Sequence, residues 1–253
     1  MKIGILMTGH ALPSLIERRG DYDAIFAEML AGEGFAFENF AVVDGDFPSG
    51  PEAADGWLIT GSKHGAYEDH AWIAPLEALI RDIAKAERPL VGVCFGHQII
   101  AQALGGRVVK FPGGWSVGRQ AYEIDGQRLS MHAWHQDQVI DLPPGAQVIG
   151  RSDFCANAAL AIGDHILTIQ PHPEFDADIL STIAEERGRG VVPEDLLAQA
   201  KADLEQPTDR MAFAARIARF FKAAQKSDLK SEPKEVPQSA ASAARTRAQK
   251  AGS

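Results

Sequence analysis

The chain has 253 residues, 45% hydrophobic and 23% charged, with a formal net charge of −9. This composition excludes collagen-like, mucin-like and wholly disordered classes, and the length permits one large α/β domain or two small ones. An acidic protein lacks the electrostatic footprint for phosphate backbones or anionic bilayers, so neither nucleic acid nor membrane is an expected partner.

In chain order, residues 2–7 form a short apolar run that predicts a strand. Residues 21–34 carry helical spacing (Ile25, Phe26, Met29, Leu30) that ends in glycines. Strands are predicted at 35–43 and 56–60, and an amphipathic helix at 72–86. Residues 89–93 are continuously apolar, the pattern of a strand buried on both faces. A helix follows over 97–104, stopped by Gly105-Gly106. Beyond Val108 the rhythm changes to short strands at 119–124, 128–133, 147–151, 158–162 and 166–169. Helical patterns return at 177–187, 194–204 and 209–222. The early βαβ units predict an α/β fold: a mostly parallel central sheet with right-handed crossovers, flanked by helices, with its site at the carboxyl ends of the strands. The later strands add a small antiparallel region.

From Lys226 onward there is no aromatic residue and no apolar periodicity, with four Lys and two Arg against one Asp and two Glu. Residues 1–225 therefore read as the folded domain and 226–253 as a disordered basic tail. Two cysteines are too few for a disulfide framework and favour a reducing compartment. With no signal peptide at the start and no run near the ~18 apolar residues of a membrane span, the expected location is cytoplasmic.

The most informative stretch is Leu90-Val91-Gly92-Val93-Cys94-Phe95-Gly96-His97-Gln98. A buried strand ends in G-x-C-x-G and opens directly into a helix, a nucleophile elbow with cysteine at its tip. The tip residue is held in a strained conformation, so glycines two before and two after it avoid clashes. The thiol sits above the positive end of the helix, which favours the thiolate. The N–H of Phe95 points to where an oxyanion would form. A thiol also needs a base, and Ile169-Gln170-Pro171-His172-Pro173-Glu174 presents one. The two prolines hold His172 stiffly at the end of an apolar strand. Glu174 can fold back to orient the imidazole, which completes nucleophile, base and orienter.

Elbow and His-x-Glu together resemble the class I (triad-type) glutamine amidotransferases, whose three residues follow in the order Cys, His, Glu. α/β-Hydrolases share the elbow but place the acid before the histidine. The likeness spans residues 3–175, in particular to the branch that holds the glutaminase half of GMP synthase and the stand-alone γ-glutamyl peptidases. The run Gly61-Ser62-Lys63-His64-Gly65-Ala66-Tyr67-Glu68-Asp69 and the pair Cys94-Phe95 look like the stand-alone side. The resemblance implies a flavodoxin-like fold and a glutamyl-thioester on Cys94, with release of ammonia or an amine. It implies a second oxyanion donor at Ser62, with Gly61 as neighbouring candidate. It also implies substrate contacts from Gln98 and from the segment holding Gln136 and Asp137, where Asp137 would pair with an α-ammonium group. Two residues depart from the family pattern, Pro171 and Ser116.

No cofactor is expected, since neither G-x-x-x-x-G-K-[ST] nor G-x-G-x-x-G occurs. No metal is expected either: His132 and His135 lie near a strand end without a third ligand at fitting spacing. Three functions follow. The first is a stand-alone enzyme acting on a small γ-glutamyl substrate, favoured because no synthetase sequence follows Phe221. The second is a glutaminase subunit passing ammonia to a separate synthase in trans. The third is a catalytically silent binding or regulatory module.

Overall fold

A computed structural model describes residues 1–231, with side chains through residue 224. Most of the segment read as a basic tail therefore lies outside the described residues. The elements in chain order are β1 (Lys2–Leu6), α1 (Pro13–Arg19), α2 (Tyr22–Met29), β2 (Ala36–Phe40), β3 (Gly56–Ile59) and α3 (Ile73–Lys85). Next come β4 (Leu90–Val93), α4 (Phe95–Ala103), β5 (Arg107–Lys110), β6 (Ser116–Ile124), β7 (Gln127–His135), β8 (Asp137–Asp141) and β9 (Ala146–Arg151). The chain continues through β10 (Ala159–Ile162), β11 (Ile166–Ile169), α5 (Ala177–Ile183), a π-helical turn (Ala184–Gly188), α6 (Glu194–Ala202) and α7 (Arg210–Ser231).

The main sheet has the order β2-β1-β3-β4-β11-β10-β9-β6-β7. Its first five strands are parallel and its last four antiparallel, so the antiparallel part is larger than the sequence suggests. β5 and β8 form a separate antiparallel pair. Both lie outside the predicted strands, because half-exposed four- and five-residue edges carry too little alternation to be read. α1 also went unpredicted: seven residues bury only Leu15 and start at Pro13 without a side-chain cap.

Parallel strands covered on both faces need side chains for two cores, and the period-two alternation supplies them. Ile3, Ile5, Leu58, Val91, Val93 and Ile169 point to a core shared with α2, α5 and α7. Leu6, Trp57, Ile59 and Leu90 point to the opposite core, closed by α3 and α4. Every residue of β3, β4 and β11 is buried. These three strands are adjacent and in register, with Ile59 opposite Gly92 and Val93 opposite Ile169. Their carboxyl ends therefore come out side by side, each delivering one loop to the same place.

Candidate active site

β4 leads straight into α4, which starts at Phe95, two residues earlier than the sequence suggests. The reason is that Cys94 itself is the N-cap, at φ 54° and ψ −103°. This conformation is costly for a residue with a Cβ. It is held because the backbone on both sides is pinned: Cys94 N donates to Ile169 O at 2.8 Å and Gly96 N to Thr60 O at 3.1 Å. The flanking glycines are sterically required. A Cβ on Gly96 would lie 2.3 Å from Ile59 O, and one on Gly92 would lie 2.5 Å from Gly96 O.

β11 delivers the histidine. His172 N donates to His132 O at 2.8 Å, tying the Pro171-His172-Pro173 segment to β7. His172 Nδ1 donates to Glu174 Oε1 at 2.7 Å, and both side chains are buried. The other face of the ring is fixed by Phe175, stacked at 3.9 Å with an interplanar angle of 5°. With Nδ1 taken by Glu174, Nε2 is the ring nitrogen left for another partner, and Cys94 and His172 line the same cavity. Burial alone would depress this imidazole, but the Cys94 and Glu174 charges outweigh it and raise His172 to about 10. The imidazole is thus held between the Cys94 and Glu174 side chains. Glu174 Oε2 is buried with no hydrogen-bond partner among the described residues.

β3 supplies the third loop. Thr8 and Thr60 lock it from beneath, with Thr8 Oγ1 donating to Thr60 O and Gly61 O at 3.0 Å each. Ser62 Oγ donates to Thr8 O at 2.6 Å, which leaves the Ser62 side chain committed and only its backbone free to act. Gly61 lies against both Cys94 and His172: a Cβ there would be 3.7 Å from the Cys94 Cβ and 3.1 Å from His172 Cε1. As the first residue of α4, Phe95 keeps an N–H without an intrahelical partner.

These groups open into a cavity of about 500 Å³, within the usual range of ligand sites. Cys94, His172, Gly61, Ser62, Gln98, Gln136 and Asp137 all line it; Phe95 does not, its ring being buried against Trp72. Gln98 places its amide N 3.0 Å from Asp137 O and 3.1 Å from Gln170 Oε1. A backbone carbonyl can only accept, so the Gln98 amide is oriented with its oxygen free for a ligand. The Gln136 carbonyl accepts from Phe111 N at 3.3 Å. Asp137 receives the Tyr67 hydroxyl at 3.1 Å. Burial pushes its carboxyl above the ordinary range, against that opposing bond, and a cationic ligand group would relieve the penalty.

The sequence reading missed the positioning roles of Phe175 and His132. His132 and His135 are both buried, and the Nε2 of each has no hydrogen-bond partner among the described residues. Their Nδ1 atoms donate to Phe175 O and Asp137 O, and burial lowers both imidazoles, His135 to about 3. His10 stands away from the cavity between Asp21 and Asp44. Cys155 is buried, with its thiol pushed up to about 12 by that burial. Arg187 also escaped notice. The helix expected over 177–187 turns π-helical at Ala184, a geometry rare in helices and frequent at functional sites, and Arg187 lines the cavity from that turn.

Among known proteins, the family described as glutamine amidotransferase class-I matches residues 51–181. Gamma-glutamyl peptidase 4 of Arabidopsis thaliana is 32% identical over 219 residues, covering 80% of this chain and 87% of that protein. The GMP synthase (glutamine-hydrolyzing) of Streptococcus uberis is 30% identical over 150 residues, 51% of this chain but only 27% of the synthase. Among solved structures, a glutamine amidotransferase from Methylobacillus flagellatus superposes with a TM-score of 0.68 at 24% identity. It covers 90% of this chain and 94% of that one.

Proposed function

The chain belongs to the class-I glutamine amidotransferases, and from that premise we propose that it hydrolyses the γ-glutamyl amide bond of a small γ-glutamyl compound through a thioester on Cys94. The observation that carries this reading is the Cys94–His172–Glu174 constellation, with its thiol on a strained turn at the cavity wall. In the first step the Cys94 sulfur attacks the γ-carbonyl carbon, and the carbonyl electrons move onto oxygen. The N–H groups of Phe95 and of Ser62, or its neighbour Gly61, take the oxyanion. As the tetrahedral species collapses, the C–N bond breaks and the His172 imidazolium gives its proton to the departing nitrogen. Ammonia or an amine leaves and the glutamyl-thioester remains. The now neutral His172 removes a proton from water, which attacks the thioester, and glutamate and the Cys94 thiolate are regenerated.

Gln98 and Asp137 suit the glutamyl end of the substrate, Asp137 through the α-ammonium group. Much of the cavity remains, and its wall includes Trp115, Trp134, Ile183 and Val191 with the Arg187 guanidinium. A partly apolar wall that also carries Lys63, Lys110 and Arg187 suits a peptide leaving group bearing a carboxylate better than ammonia alone. Similarity to gamma-glutamyl peptidase 4 supports the same choice. The test is glutamate release from a panel of glutamine, γ-glutamyl amines and γ-glutamyl peptides, with Cys94→Ala as blank. Release from peptides above glutamine supports the proposal; no release from any γ-glutamyl compound contradicts it. Weak glutamine hydrolysis that rises only when a synthase is added would support ammonia delivery in trans instead.

A further inference from the structure

The loop between β3 and α3 carries three side chains that the proposed chemistry does not use. His64, Glu68 and His70 each offer one donor atom, and the three atoms lie within 4.8 Å of one another. His64 Nδ1 is 3.3 Å and His70 Nε2 is 2.7 Å from the same oxygen, Glu68 Oε2. The two imidazoles are in contact at 4.2 Å between centroids, and both lie about 6 Å from Trp72, the His70 ring parallel to the indole. The donor atoms thus converge on one point although the residues sit in irregular backbone with the spacing H-x3-E-x-H.

From this geometry we propose that His64, Glu68 and His70 form a binding site for a divalent transition metal ion, zinc foremost, at the rim of the cavity. Two imidazoles and a carboxylate are the donor set such ions prefer over magnesium or calcium, which take oxygen. At zinc–nitrogen and zinc–oxygen lengths near 2.0–2.2 Å, ligand atoms in a tetrahedron stand about 3.3 Å apart. The His64–Glu68 separation already equals that value, the His70–Glu68 contact opens by roughly half an ångström, and the two nitrogens draw together. All three side chains are partly solvent-accessible, so an ion has an entry path and a fourth position remains for water. The site joins the loop that holds Gly61 and Ser62, and His64 and Glu68 themselves line the cavity.

The triad offers zinc a competing thiolate and imidazole, so the test uses the full chain carrying Cys94→Ala. Zinc is titrated against a chromophoric chelator, and cobalt is added separately to read its visible absorption. The expected result is one equivalent of zinc bound, with affinity falling at least ~10-fold on adding His70→Ala or Glu68→Gln. The same loss of the cobalt spectrum is expected, while His10→Ala leaves both unchanged. Circular dichroism of each metal-free variant confirms folding, and the near-isosteric Glu68→Gln guards against a loop collapse caused by removing a ring. No stoichiometric binding in Cys94→Ala, or binding that survives both loop substitutions, overturns the proposal. In that case Glu68 simply bridges two histidines by hydrogen bonds.

Discussion

The two halves of the sheet divide the work differently. In the parallel half, three adjacent strands of four residues each are buried on both faces, and their carboxyl ends deliver Gly61, Cys94 and the His172 segment in register. Few local choices remain there, because any register slip would turn apolar side chains out of both cores at once. The antiparallel half has nine-residue strands in β6 and β7; β7 brings Trp134 to the cavity, the segment before β6 brings Trp115, and Gln136 and Asp137 follow at the start of the separate β5–β8 pair. On the proposed function, reaction type resides in the parallel half and substrate choice on the antiparallel side. Changes in the first should abolish turnover for every substrate, and changes in the second should re-rank substrates.

The largest effects are expected at the triad. Cys94→Ala and His172→Ala should each lower kcat by at least ~10⁴-fold against every γ-glutamyl compound, with thermal stability little changed for Cys94→Ala. Glu174→Gln keeps the shape and removes only the charge, so it should be roughly 100-fold less damaging than either. Equal losses at all three, in steady-state kinetics, would mean the roles are misassigned.

Next comes the elbow backbone. Gly96→Ala drives a Cβ to 2.3 Å from Ile59 O, a backbone atom that cannot swing away. A loss of about 1–3 kcal/mol in denaturant unfolding is expected, together with loss of turnover. A stable and active Gly96→Ala protein would show that the turn is less constrained than described.

Third is the substrate side. Arg187→Ala should raise KM for γ-glutamyl peptides about 10-fold, roughly the 1.4 kcal/mol of one lost charge-assisted contact, and leave glutamine nearly unchanged. A parallel rise for both would place Arg187 in the fold rather than at the leaving group.

The smallest expected effect is on the pH profile. His172 is raised to about 10, so the imidazolium that protonates the leaving nitrogen persists until the pH approaches that value. The alkaline limb of kcat/KM should lie near pH 10, and Glu174→Gln should move it down, since the carboxylate helps hold the proton. Stability follows the same sign. With a raised folded-state value, the pair's contribution is complete below the ordinary imidazole range near 6.5 and is lost as pH rises through about 10. The depth of burial that goes with this shift is not visible in the sequence.

That difference marks what sequence can carry. The parallel half was legible because each strand is a short apolar run bounded by turn residues, and because the glycines of the elbow announce a backbone constraint. The proline-flanked His172 and the nearby Glu174 were legible for the same reason: their relation is local. The edge strands β5 and β8, α1 and the π turn bearing Arg187 were not, since their identities depend on tertiary neighbours. Phe175 reads as an ordinary core aromatic until the ring it stacks on is placed. His64 and Glu68 were read only as part of a family-like run and His70 not at all, because convergence of donor atoms in an irregular loop leaves no periodic trace.

The central claim is that Cys94 is the acylated atom. The direct measurement is mass spectrometry of the intact and digested chain after inactivation by a glutamine analogue whose side-chain carboxamide is replaced by a chloromethyl ketone, which alkylates a thiolate with loss of chloride. One adduct on the peptide holding Cys94, formed in step with loss of glutamate release and slowed by excess substrate, is the predicted result. Inactivation with the added mass on Cys155 or another residue, while Cys94 stays free, would contradict it.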